Sequence, residues 1–216
     1  MIKATATLNG VISKQATIRQ TTDGHSQVVF TVKVSIPGSR NNMPGMDVFV
    51  SVAKFGSADE LGPYTVGTRI EAAGTLTFRK SGDNLYMNFF ADSITLNPES
   101  TKSGIDGTLD FKGTIGNTVD VKADKNGHNY VSFSAFSTEK VREEFEYTWV
   151  RFVKFNYERE AFVQTKAKIQ AKGKLTISVY NGRLTLDCLM DELKPWERVP
   201  ATAPTAEANS KEDLPF

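Results

Sequence analysis

Apolar and polar residues alternate with a period of two along most of this chain. In the run from Asp47 to Phe55, Val48, Val50 and Val52 fall on one side. Phe49, Ser51, Ala53 and Phe55 fall on the other. Successive side chains of a strand point to opposite faces, so this pattern predicts a strand with one buried and one wetter face. Similar β-rich runs cover 4–13, 27–36, 46–55, 68–79 and 84–96, then 108–119, 129–138, 146–155, 166–179 and 183–190. Each half therefore holds five expected strands, with a longer connection between the third and fourth. That connection is 56–67 in the first half and 156–165 in the second, where 158–163 is expected to form two helical turns. The dipeptides Asp23-Gly24, Asn126-Gly127 and Asn181-Gly182 are hairpin signals.

The two halves repeat a motif series. Gly10-Val11-Ile12 returns as Gly113-Thr114-Ile115. Gly24-His25, Val28 and Phe30 return as Gly127-His128, Val131 and Phe133, all 103 residues later. Lys54-Phe55 returns as Lys154-Phe155, and Gly74-Thr75-Leu76-Thr77 as Gly173-Lys174-Leu175-Thr176. A repeat with so little drift predicts two similar β domains in tandem. Five strands with a long third connection is the layout of the OB-fold, a five-stranded Greek-key barrel. The expected fold is all-β: an OB-fold over 1–98, a linker over 99–107, a second OB-fold over 108–196 and a disordered tail over 197–216.

Composition narrows the function classes. One cysteine, Cys188, cannot form an intrachain disulfide, which suits a reducing compartment. Met1-Ile2-Lys3 leads directly into alternating sequence, with no apolar leader and no apolar run of membrane-spanning length, so a cytoplasmic protein is expected. Lys plus Arg number 26 against 25 Asp plus Glu. The last twenty residues hold two basic and four acidic side chains, so the remaining body is mildly basic and the tail acidic. Two histidines and one cysteine cannot make a zinc-finger set, and no Gly-rich loop ends in Lys-Ser or Lys-Thr. No metal, cofactor or enzymatic activity is expected.

The wetter strand faces carry the candidate chemistry. Phe49 and Phe55 share one in the first half. In the second, Trp149 and Phe155 share one with Arg151 between them, and Lys33 falls on the polar face of the preceding strand of the first half. Interleaved aromatic and basic side chains suit single-stranded nucleic acid: rings stack on bases, and cations neutralise phosphates. The hairpin between the fourth and fifth strands adds Arg79, Lys80 and Tyr86, and its counterpart adds Tyr180. Stacking does not separate DNA from RNA.

In its ordered spacing the chain resembles the bacterial single-stranded DNA-binding protein family. Arg19, Gly24 and Phe30 match the family's opening spacing, as do Lys122, Gly127 and Phe133 with Lys for Arg. Trp149 and Phe155 match a stacking Trp with a Phe six residues on, and Phe49, Phe55 and Gly56 match with Phe for Trp. Ser81 and Tyr180 stand where the family has a second stacking Trp. The chain ends Asp213-Leu214-Pro215-Phe216, like the family's acidic tip. The resemblance implies sequence-independent binding and protection of single-stranded DNA in replication, recombination and repair. Bases would stack on Phe49, Phe55, Trp149, Phe155, Tyr180 and Tyr86. Phosphates would meet Arg19, Lys33, Arg79, Lys80, Lys122 and Arg151. The tip would recruit replication and repair proteins, and the chain, nucleoid-associated in the cytoplasm, would form a homodimer with four OB-folds. The alternatives are an OB-fold protein-interaction scaffold, an RNA binder, or a phage- or plasmid-encoded relative.

Overall fold

The computed structural model describes residues 2–141 and 143–196, of which nearly all the ordered elements are strands. The first barrel comprises β1 (Ile2–Gln20), β2 (Ser26–Ile36), β3 (Met46–Phe55), β4 (Arg69–Ser81) and β5 (Asn84–Leu96). The second comprises β6 (Gly104–Ala123), β7 (Asn129–Val141), β8 (Glu144–Phe155), β9 (Lys168–Tyr180) and β10 (Arg183–Pro195). In the first, β1 pairs with β2, β2 with β3, β3 with β5, β5 with β4, and β4 returns to β1. Every pairing is antiparallel except β3–β5, the parallel closure. The second barrel repeats the circuit with β8–β10 as its parallel pair. These are two tandem OB-folds.

One long first strand serves two neighbours in each barrel. Lys3 to Val11 pair with β4, and Val11 to Gln20 pair with β2, across register breaks after Ile12 and Lys14. The bend brings backbones close, which explains the repeated glycine. A Cβ on Gly10 would lie 2.5 Å from the Lys33 carbonyl oxygen, and one on Gly113 would lie 2.2 Å from that of Phe136. The inward parity fills the barrels. Val28, Phe30, Val32, Val34, Val48, Val50 and Val52 are buried in the first. In the second, Phe152 is wholly buried between the rings of Phe111 at 4.8 Å and Phe133 at 5.5 Å.

The barrels join edge to edge. β1 and β6 pair antiparallel from Ile2↔Phe111 to Asn9↔Gly104. Thr5 faces Thr108, its own repeat equivalent, so a local twofold axis passes between them and the seam is the internal counterpart of a symmetric dimer contact. β6 begins at Gly104, inside the segment expected to be linker.

Each barrel also reaches across to the other. The β2–β3 connection lies on β9, where Val179 N–H donates to the Pro37 carbonyl and Ser39 N–H to the Val179 carbonyl, both at 2.9 Å. In return, Gly82 N–H in the β4–β5 turn donates to Glu146 of β8 at 3.4 Å. Asp83 pairs with Arg183 at 3.0 Å.

The two helical turns expected over 158–163 do not form. Among the described residues only Ala58–Glu60 makes a short 3-10 turn, in the first barrel. In the second, Tyr157 is buried, and Phe162 and Val163 pack against the core. The Glu160 N–H donates to the Tyr157 hydroxyl and the Val163 N–H to the Glu160 carbonyl, both at 3.0 Å, so the segment closes as an isolated turn anchored by its inward side chains and does not continue as a helix. The tail, including Asp213, Leu214, Pro215 and Phe216, lies outside the described residues. No helix among the described residues is long and apolar enough to cross a membrane.

Candidate nucleic-acid interface

The outward parity of β3 and β8 builds the surface. Phe49, Phe55, Trp149, Phe155, Tyr86 and Tyr180 are all substantially exposed, between 43% and 61%. Directly opposed residues of neighbouring antiparallel strands share a face, which sorts the candidates into rows. Arg19 on β1 opposes Gln27 on β2, which opposes Phe55 on β3. The second barrel repeats this row as Lys122, Tyr130 and Phe155. Lys33 opposes Phe49, and Arg79 opposes Tyr86. Lys80 opposes Leu85 and is half-buried on the other parity, so the structure does not bring it to the side Arg79 occupies.

Rings support one another within these rows. The edges of His25 and Phe90 meet Phe55 at 5.8 and 5.0 Å. Tyr130 lies 5.9 Å from Phe155, and Phe136 lies 4.9 Å from Trp149. Gly116 makes room for the indole, since a Cβ there would sit 3.1 Å from Trp149 Cζ3. The first barrel has Ser13 and Phe49 at the matching positions, and the Ser13 hydroxyl donates instead to the Thr31 carbonyl at 3.2 Å.

Trp149, Arg151, Tyr180 and Asp187 line a cleft of about 450 Å³ together with Ser39 and Arg40 of the first barrel's β2–β3 connection. Phe49 and Tyr86 line a cleft of about 380 Å³ that Gly182 and Arg183 of the second barrel help to close. Each cleft thus borrows a cation from the other barrel. Arg40 is exposed and carries no ion pair among the described residues. Nothing local in the sequence places it beside Trp149.

The sequence also hid several pairings. Lys33 pairs with Asp47 at 3.3 Å, and Arg151 Nε donates to Asp187. The Ser35 hydroxyl and then Lys33 hold the Asp47 carboxyl below its ordinary range, so it stays charged at neutral pH and offsets Lys33. Lys122 lies 3.9 Å from Asp120. Arg19 and Arg79 have no ion pair among the described residues. Lys54 and Lys154 turn toward Glu60 and Glu160, a repeated structural pair. Burial, with Asp191 adding to it, pushes the Cys188 thiol up to about 12, so it remains a protonated core group.

Neutralising Asp47 or Asp187 isolates the effect of these pairs. Asp47→Asn frees Lys33, and Asp187→Asn frees Arg151. If this face takes single-stranded nucleic acid, as its row of rings and cations would allow, each should strengthen that binding and steepen the log–log salt slope by up to about 0.7, the single-strand value per phosphate contact. A salt series on oligo(dT) measures this. An unchanged slope in both variants removes Lys33 and Arg151 from the phosphate contacts.

No family model matches the sequence, and no curated protein matches it. Solved structures do show similarity. The wild-type single-stranded DNA binding protein from Thermus aquaticus is 15% identical with a TM-score of 0.44, the alignment covering 94% of this chain and 96% of that one. The small single-stranded DNA-binding protein from Streptomyces coelicolor is 18% identical with a TM-score of 0.30, over 41% of this chain and 88% of that one. The N-terminal domain of PriB protein from Thermoanaerobacter tencongensis is 20% identical with a TM-score of 0.29, over 44% of this chain and 98% of that one.

Proposed function

We propose that the protein binds single-stranded DNA without sequence preference, as a binder and not an enzyme. The observation that carries this reading is the repeated outward row on the third strand of each barrel. Two exposed rings six residues apart, Phe49 with Phe55 and Trp149 with Phe155, lie among Arg19, Lys33, Lys122 and Arg151. A face that stacks any base and tracks phosphate is what sequence-tolerant binding needs. Tyr86 with Arg79, and Tyr180 with Arg40, extend each row toward the other barrel.

In this reading, domains over 1–98 and 108–196 are joined by 99–107, whose last four residues already run in β6, and the chain protects single strands during replication, recombination and repair in the cytoplasm. The tip Asp213-Leu214-Pro215-Phe216 contacts partner proteins. A homodimer presents four barrels, and it forms through a surface other than the β1–β6 seam, which each chain already fills internally.

Titrating the protein with oligo(dT) and oligo(U), while following tryptophan emission at several salt concentrations, tests the reading. The expected result is quenching, with affinity falling steeply as salt rises and oligo(dT) bound at least as well as oligo(U). Absence of quenching and of salt-sensitive binding would leave the scaffold reading in its place. Stronger binding of oligo(U) would make RNA the ligand.

A further inference from the structure

The β7–β8 hairpin runs past the barrel as a two-stranded ribbon whose faces differ in chemistry. Opposed pairs are Phe136↔Trp149, Thr138↔Tyr147, Lys140↔Phe145 and Glu139↔Glu146. One face therefore carries Trp149, Tyr147, Phe145, Phe136, Thr138 and Lys140, and continues into Arg151. The other carries Glu139, Glu144 and Glu146. The pleat has sorted Glu139, Glu144 and Glu146 away from the rings.

The acidic face is also the one turned to the first barrel. Ser137 on that face is buried, and Glu146 accepts the Gly82 N–H. The opposite face stays open: Phe145 is 58% exposed and Tyr147 45%. Phe136 braces the platform, 5.5 Å from Tyr147 and 4.9 Å from Trp149. The first barrel has no such platform, since Asp47 and Gly45 occupy the positions matching Tyr147 and Phe145.

We propose that this face is a base-stacking extension in which Tyr147 and Phe145 take the two bases that follow the one on Trp149. It rests on the single-stranded DNA reading and extends it to residues outside the third-strand pair. Same-face side chains of a strand repeat at about 6.8 Å. A single strand drawn out to about twice the roughly 3.4 Å per nucleotide it has in a duplex presents one base per ring. Lys140 and Arg151 lie on the same face for its phosphates. Glu139 and Glu146 directly oppose each other, a like-charge pair that disfavours the hairpin, and their field discourages a strand from the ribbon's other face.

The test compares the full chain with Phe145→Ala/Tyr147→Ala, Tyr147→Phe and Trp149→Ala on oligo(dT) of increasing length. The double variant is expected to lose at least about fivefold in affinity, the lower end of the loss for one stacked base. Its occluded site is expected to shrink by about two nucleotides with the salt slope unchanged. Tyr147→Phe keeps a ring and is expected to match the parent chain. Both residues are exposed, and an unchanged thermal midpoint confirms that the fold is intact. If the double variant keeps parental affinity and site size while Trp149→Ala weakens binding, the extension is overturned and the DNA reading stands. A loss of assembly mass in the double variant, with affinity unchanged, makes the face a contact between copies of this chain and also overturns it. If the parent chain binds no oligo(dT), both readings fall together.

Discussion

Phe152→Ala is expected to destabilise the protein by about 3–5 kcal/mol, the range for emptying a buried aromatic site. The side chain is wholly buried, edge-on to Phe111 at 4.8 Å and stacked near Phe133 at 5.5 Å. All three rings come from strands fixed on both sides by hydrogen bonds, so the walls cannot collapse into the space. For a chain of this size each kcal/mol shifts the thermal midpoint by roughly 2–4 °C, so a drop of about 6–20 °C is expected by calorimetry. Phe111 sits at the end of the β1–β6 ladder opposite Ile2, which carries the disturbance to the seam. The folded fraction should still bind oligo(dT) with parental affinity, because no ring on the outward face has changed. A midpoint shift under about 3 °C would mean that the second barrel repacks around the void.

The sequence made the faces legible where alternation is strict. Val48, Val50 and Val52 are buried, and Phe49 and Phe55 are exposed, because a strand allows only two sides and the valines claim one. The tandem OB-folds were legible because motifs 103 residues apart must occupy equivalent places. The seam was not. β1 alternates in the same way whether its second edge meets β6 or water, so only the assembled molecule shows Thr5 facing Thr108. The clefts were half legible for the same reason: Trp149 and Tyr180 come from one repeat, whereas Arg40 arrives from the other along a connection whose course depends on Val179.

Charge was the least legible property. Arg151 and Asp187 are far apart in the chain and meet only through the parallel β8–β10 closure. Lys33 and Asp47 oppose each other diagonally across β2 and β3, where Lys33 faces Phe49. A count of basic residues cannot show that part of the groove's charge is already offset. It follows that stacking should contribute more to affinity, and salt-dependent contacts less, than the same aromatic and basic residues would give if every cation were free. The ribbon was missed for a related reason. Phe145 and Tyr147 stand among Glu143, Glu144 and Glu146 in the sequence, so the segment reads as an acidic loop until the β7 pairing separates its two faces.

Trp149→Ala isolates the stacking term. It is expected to weaken oligo(dT) binding by about 1–3 kcal/mol, or roughly 5- to 150-fold, and to leave the thermal midpoint within a few degrees of the parent. The indole is about half exposed, so its removal leaves no sealed void. It is braced by Phe136 and lies over Gly116, a geometry that holds the ring in place before a base arrives. The salt slope should not change, because no cation is lost. Arg151→Ala should do the reverse, reducing the slope only by the part of about 0.7 that the Asp187 pair leaves to Arg151, so the loss here and the gain in Asp187→Asn should sum to about 0.7. Trp149→Phe reproduces the ring of the first barrel and should fall between parent and alanine. Phe152→Ala and Trp149→Ala, three residues apart on opposite sides of β8, thus divide stability from binding. Parental affinity in Trp149→Ala would place the DNA on some other face of the barrel.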